Sequence, residues 1–222
     1  GETAHVAFWT MAGASRQAVL EMIDKHSAPT AFERAATLAF TQAQIQLHHL
    51  RLGAGQAAQF QRLAGPMLYV SASMRPGAAA IAQGAGPQSG LWSLGISGDL
   101  PIIVLRIADI EQLAVARELM QATDYWRMKQ LPFDLVIINE RGTSYVQDLQ
   151  SALEGLVRAS QSRAQFGERS PGTVFVLRAD LVPDPTRDLL LAVARVVIDA
   201  HNGPLASQLD ARREPALRRR PP

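Results

Sequence analysis

The stretch "GLWSLGISGDLPIIVLRI", residues 90–107, decides how the rest of the chain is read. A glycine-rich turn, Gly95-Ile96-Ser97-Gly98-Asp99, stands directly before a run of β-branched residues. Phosphate- and dinucleotide-binding loops use the opposite order: the strand comes first and the glycine turn opens a helix, so that free amides meet the anion. Here the turn leads into the strand, which places it at the N-terminal edge of any sheet that strand joins. The stretch therefore reads as a tight turn needing glycine's freedom of φ. The β-branched run behind it reads as the first strand of an α/β layer.

Working outward, "PIIVLRI" (101–107), "DLVIINE" (134–140) and "TVFVLRA" (173–179) are near-continuous apolar runs bounded by turn signals. Such runs suit strands buried on both faces of a parallel sheet. The segments between them have the length of crossover helices. Asp109 with Gln112 and Ser144 with Gln147 supply cap signals for the first two, and Asp184-Pro185 reads as an N-cap and first helical residue for the third. The expected fold class is α/β: an N-terminal helical region, then a three-layer-type βαβαβα unit over 100–203 with a short parallel sheet and right-handed crossovers.

Upstream, "AHVAFWTM" (4–11) reads as one leading strand, and Ser15 as the cap of a helix reaching about His26. Thr30 with Glu33 has the form of a capping box. Behind it Phe32, Ala36, Phe40, Ala43, Leu47 and Leu50 recur at spacings of three and four, one apolar face of a long helix. "QAAQFQRLAGPMLYV" gives a shorter helix with Phe60, Leu63 and Leu68 inward. The helical region thus spans 1–70, a Gly/Ala/Pro-rich connection 71–99, and a basic linker or tail 204–222. Residues 71–90 read as irregular, long for a loop within a compact domain.

The bulk numbers exclude several classes. With 222 residues and 47% hydrophobic content the chain can bury a sizeable core. It has no cysteine, which removes disulfide frameworks, thiolate metal sites and thiol catalysis. No apolar run approaches the roughly 18–20 residues of a membrane span, so direct membrane insertion is not expected. The first residues lack a signal peptide's basic and apolar regions, and a leading Gly in place of Met reads as a piece of something longer. The isoelectric point of about 9.4 invites a nucleic-acid reading, but the basicity sits in "ARREPALRRRPP". From His201 onward the net charge is +3 against +2 overall, leaving the body near −1. Nucleic-acid binding needs a basic face on a folded surface, so no nucleic-acid partner is expected.

Candidates for chemistry cluster where the three strands end: Arg106 and Asp109, then Asn139, Glu140 and Arg141, then Arg178 and Asp180. Open α/β sheets bind ligands at that edge, and a mixed set of Arg, Asp, Glu and Asn suits sugar hydroxyls or a phosphate. The competing reading makes the same residues helix caps and mutual ion pairs. Glu140 is the carboxylate there not already spoken for as a cap, and a cryptic enzyme would need it in a deep cleft with a shifted pKa. Tyr125 and Trp126, in "DYWRMK" (124–129), would offer rings for sugar stacking. The histidines do not assemble: His48 and His49 point about 100° apart on a helix, and His5, His26 and His201 are solitary. Ser97 and Ser144 lack the nucleophile-elbow pattern. "GAGQAA" (53–58) and "GAGPQSG" (84–90) lack the strand context of a nucleotide loop. No catalytic residue, metal site or cofactor is expected.

The phrases "AFWTMAGASRQAVLEMIDKH", "AFERAATLAFTQAQIQLHHL", "FQRLAGPMLYV", "LWSLGISGDLPIIVLRI", "DYWRMKQLPFDLVIINERGTSYVQDLQSALEGLVR" and "GTVFVLRADLVPDPTRDLLLAVARVVIDA" together resemble a segment of the cyclic β-1,2-glucan synthases, up to about Leu209. The resemblance implies a multidomain bacterial inner-membrane enzyme. Its glycosyltransferase builds a linear glucan from UDP-glucose through a protein-linked intermediate and cyclises it. A C-terminal phosphorylase-like part, with β-sandwich domains and an (α/α)₆ barrel, controls chain length. The segment resembles the piece between two sandwich-type domains, on the cytoplasmic side, which implies neighbouring β-sandwich and glycosidase-like domains as partners and β-1,2-glucan as a candidate ligand. No nucleotide-sugar site and no phosphorylase acid maps onto these residues. The expected role is a non-catalytic inter-domain module. The alternative is a glucan-binding guide using Arg106, Glu140, Arg141 or Arg178 beside an exposed Tyr125 or Trp126.

Overall fold

The computed structural model describes residues 6, 8–28, 30–141, 148–164 and 172–211, with residues 161–164 as backbone. The chain divides into two compact units, 1–52 and 53–222.

The first unit is helical. Helix α1 (Arg16–His26) starts where Ser15 Oγ accepts from the Ala18 amide at 3.2 Å, as expected of its cap. Helix α2 (Ala31–His49) follows, but Thr30 makes no side-chain cap bond, because its backbone is already helical and turns the hydroxyl away from a capping geometry. The expected leading strand falls largely on residues outside those described; 8–13 have no regular structure. Trp9 lies 5.1 Å from the His26 ring and 6.1 Å, edge-on, from Phe32.

The second unit holds a four-stranded, all-parallel sheet: β1 (Ile102–Ile107), β2 (Asp134–Asn139), β3 (Val174–Arg178) and β4 (Val196–Asp199), in the order β3-β2-β1-β4. The three expected strands are present, and the α/β class holds. β4 is an addition to them. "LLLAVARVVIDA" contains no Gly or Pro to mark a break, yet α7 (Asp184–Val193) ends there, Ala194 turns extended, and Val196-Val197-Ile198 pair with β1. Asp184 is the first residue of α7, with Pro183 in the cap position, rather than the cap itself.

Crossovers α5 (Leu113–Met128) and α6 (Asp148–Ala164) pack on each other. The opposite face carries Ile102, Val104, Val136 and Ile138 against Leu91, Ile96, Leu189, Leu190 and Ala194. Strand residues alternate between faces, so Ile103, Leu105, Leu135 and Ile137, also fully buried, form the α5–α6 side. Each such aliphatic contributes about 1.5–3 kcal/mol of burial, set against conformational entropy of comparable size.

The connection over 71–99 is more ordered than its composition suggests. It forms a short helix α4 (Ala78–Gln83), helped by its run of alanines, and 3₁₀ segments at Ala72–Met74 and Gln88–Leu94. Helix α4 lies on α7, and Gly84 permits this: a Cβ there would run into the Asp188 carbonyl. Helix α3 (Ala54–Leu68) packs on α5 and on α8 (Leu205–Ala211). Phe60, Leu63 and Met67 are among its buried residues; Leu68, expected inward, is exposed because the buried stripe continues at Met67. Helix α8 occupies the first part of the expected tail and buries Leu205 and Leu209; residues 212–222 lie outside those described.

Arg75 secures this layer. Its Nη2 donates to the Ala192 carbonyl at 2.6 Å and its Nε to the Ala194 carbonyl at 3.2 Å, a cation on the C-terminal end of α7. Replacing Arg75 with Met keeps the stem and removes both bonds, which should destabilise the second unit by about 1.5–3 kcal/mol in chemical denaturation. A loss below a few tenths would show that water replaces the guanidinium at no cost.

Candidate functional site

The glycine turn lies at the N-terminal edge and is closed. Gly95 and Gly98 take φ of 75° and 78°, the left-handed region expected of glycine. The Gln88 amide fills the turn, donating to the Ser97 carbonyl at 2.7 Å and to Asp99 Oδ1 at 3.1 Å. The amides of Gly95, Ile96 and Asp99 are spent on Trp92, Leu91 and the Ser97 hydroxyl. Three of the turn's five amides are thus committed within the protein, and the turn opens a strand in place of a helix.

On the same edge Asp134 is buried and accepts from the Thr173 amide at 2.9 Å. Burial raises its pKa, the Thr173 bond opposes this, and the Asp99 charge adds to the rise. The folded state therefore holds this proton more readily than the unfolded chain, and ionisation costs stability as pH climbs through the folded value. Asp134→Asn keeps an acceptor for Thr173 and removes the charge. It should raise the thermal midpoint at pH 7, with the gain shrinking as pH falls through the carboxylate range. A gain independent of pH would locate the effect elsewhere.

The C-terminal edge holds the charged set. Arg106, near the end of β1, stands in register with Ile138 of β2 and Asp199 of β4. Its Nε and Nη2 grip the two oxygens of Glu140 at 2.8 and 3.1 Å, and Nη1 reaches Asp199 Oδ2 at 3.4 Å. The bonds to Glu140 outweigh the opposing effect of burial and hold the guanidinium above its ordinary pKa. Glu140 is thus engaged on both oxygens. Asp199 Oδ1 accepts the His201 amide at 2.9 Å. Asp109 caps the turn leading into α5, as expected, accepting from Glu111 N while Gln112 returns to the Ala108 and Asp109 amides.

The other two arginines keep to themselves. Arg141 donates to Asp148 at 2.6 Å, and its amide donates to Asn139, which in turn donates to Gln150. Arg178, at the end of the outer strand β3, clamps Asp180 at 3.1 and 2.6 Å. That pairing raises the Arg178 pKa and lowers that of Asp180. Arg106 is in register with Ile138 and Arg178 with Asn139, consecutive β2 residues that face opposite sides of the sheet, so the two arginines do not converge. Among the described residues the edge carries three separate ion-pair groups. Ser144 and Gln147, the expected caps of α6, fall outside the described residues.

Tyr125 and Trp126 take no part in this edge. They are 4% and 1% exposed, because α5 is covered by α3 as well as by the sheet. Trp126 Nε1 donates to the Phe60 carbonyl at 3.1 Å, and the Tyr125 hydroxyl accepts from Gln61 at 3.0 Å. Phe60 and Phe133 pack on the Trp126 ring at 6.2 and 4.9 Å. The stacking role expected of these rings is corrected: both are core. Among the tryptophans Trp92 is the most exposed, at 64%, and it lies in the turn before β1.

Sequence reasoning missed Asp199 and, with it, the switch point. Strand order reverses between β1 and β4, the crevice where doubly wound sheets bind ligands. Arg106, Glu140 and Asp199 line that point with a formal charge of −1, which suits neutral hydroxyls better than phosphate. Among the described residues no group of three His, Asp or Glu is placed to hold a metal ion, and no helix is long and apolar enough to cross a membrane.

No protein-family model matches the chain. The resemblance carried by its phrases is upheld: the chain is 35% identical over 209 residues to the cyclic beta-(1,2)-glucan synthase NdvB of Rhizobium meliloti (strain 1021). The match takes in 94% of this chain and 7% of that relative, so the chain corresponds to a segment of it.

Proposed function

We propose that this chain is a non-catalytic inter-domain module of a multidomain cyclic β-1,2-glucan synthase. It sits in the phosphorylase-like C-terminal part, between β-sandwich domains and beside the glycosidase-like barrel, on the cytoplasmic side of the bacterial inner membrane. The parent enzyme transfers glucose from UDP-glucose, cyclises the chain and trims its length by phosphorolysis; this segment spaces and orients the domains that do so. The observation that carries the reading is the edge itself. Arg106, Glu140, Asp199, Arg141, Asp148, Arg178 and Asp180 are satisfied by one another, and no unengaged acid, base or nucleophile stands among them.

A second reading, a β-1,2-glucan guide feeding the phosphorylase-like domain, is favoured by the switch point, where fixed carboxylates and an arginine face the crevice. NMR titration of the chain with linear β-1,2-gluco-oligosaccharides separates the two. The scaffold reading expects no saturable shifts. Saturable binding that Glu140→Gln or Asp199→Asn abolishes would replace it with the guide. Trp126→Ala is unsuited to this test, since removing a buried indole costs about 3–5 kcal/mol by itself.

A further inference from the structure

The first unit carries more apolar surface than it can bury. Of the sixteen large hydrophobic residues that stand exposed among those described, nine lie before residue 53. Helix α1 has no fully buried residue and α2 has one, Ala31. Phe32, Leu38, Phe40 and Ile45 of α2 are 55–66% exposed. At 100° per residue, Leu38 and Ile45 share one face, and Phe40 points to nearly the opposite one. From Ala35 to Leu47 there is no Asp, Glu, Lys or Arg, an uncharged length of about 20 Å. Thr37, Thr41, Gln42, Gln44 and Gln46 are the polar residues of this stretch, all uncharged. Large apolar side chains on opposite sides of one helix need a partner on each, and a single neighbour such as α1 can cover one side at most.

We infer that α2 is an interior helix, completed by an apolar, uncharged protein surface carried on flanking sequence of the longer polypeptide to which this chain corresponds. The inference rests on the reading of the chain as a module of such a polypeptide. Three observations select this occupant. The matched relative is more than ten times longer than the matched segment, so covering sequence is abundant, and a tethered surface acts at about millimolar effective concentration. A second copy would need to find the same face from solution, with no charges between 35 and 47 to set register. A lipid surface would want a basic polar face, and Arg34 is the one basic residue in α2 before its two terminal histidines.

Hydrogen exchange on peptides covering 31–49 tests this, in the chain alone and in the full-length polypeptide. The amides of 35–47 should exchange at least about tenfold more slowly in the long polypeptide, while those of β1 exchange alike in both. Equal exchange in both samples overturns the inference. So does a dimer of the isolated chain in sedimentation that the double variant Leu38→Gln, Phe40→Gln dissolves while 31–49 is equally protected in both samples. So does protection of the isolated chain by vesicles of anionic phospholipid. Glucan binding by the second unit would overturn the scaffold reading and leave this comparison untouched, so the two failures are told apart.

Discussion

The pairing of β4 with β1, on the side away from β2, is the constraint on which the second unit depends. Chain growth runs β1, β2, β3 in one direction across the sheet, then returns to the opposite edge. With right-handed crossovers that return must carry its helix over the other face. α7 therefore lies opposite α5 and α6, and its apolar residues Leu189 and Leu190 need a partner layer there. The 71–99 connection supplies it, through α4, Leu91 and Ile96. A composition that reads as a spacer is in this fold a structural layer, held by Arg75 and by the close approach at Gly84.

The same pairing shapes the charged edge. Bringing β4 beside β1 sets Asp199 against Arg106, and the end of β2 sets Glu140 on its other side. One guanidinium thus bridges three adjacent strand ends. The arrangement resembles a ligand crevice in its place and a structural clamp in its bonding. The bonding supports the proposed scaffold, since a group whose lone pairs and protons are already committed must break those contacts before it can serve a substrate.

The three long strands were legible because continuous apolar runs bounded by turns have few other uses. So were the Ser15 and Asp109 caps, where short polar side chains precede helical periodicity. β4 was not: four residues follow a helix with no Gly or Pro between them, and a β-branched triplet at the end of a leucine-rich run looks like more helix. The site suffered from the same gap, since Asp199 acquires its partner through β4 alone. Arg106, Glu140, Arg141 and Arg178 were placed on the correct edge, but their pairing choices depend on register that no local pattern states. Tyr125 and Trp126 looked surface-bound because they sit among Asp124, Arg127 and Lys129 at a helix end. Their burial comes from α3, more than sixty residues earlier in the chain.

Arg106 and Asp199 lie 93 residues apart in sequence. On the ribosome, at about 5–20 residues per second, β1 emerges roughly 5–20 s before its edge partner is made. Through that interval a strand that is apolar except for Arg106 offers an unpaired edge, the kind of template that seeds wrong association. Arg106 stands near the open end of that edge as a charge no aggregate would bury cheaply, before it finds Glu140 and later Asp199. The arginine that clamps the finished sheet is thus also the gatekeeper of the unfinished one.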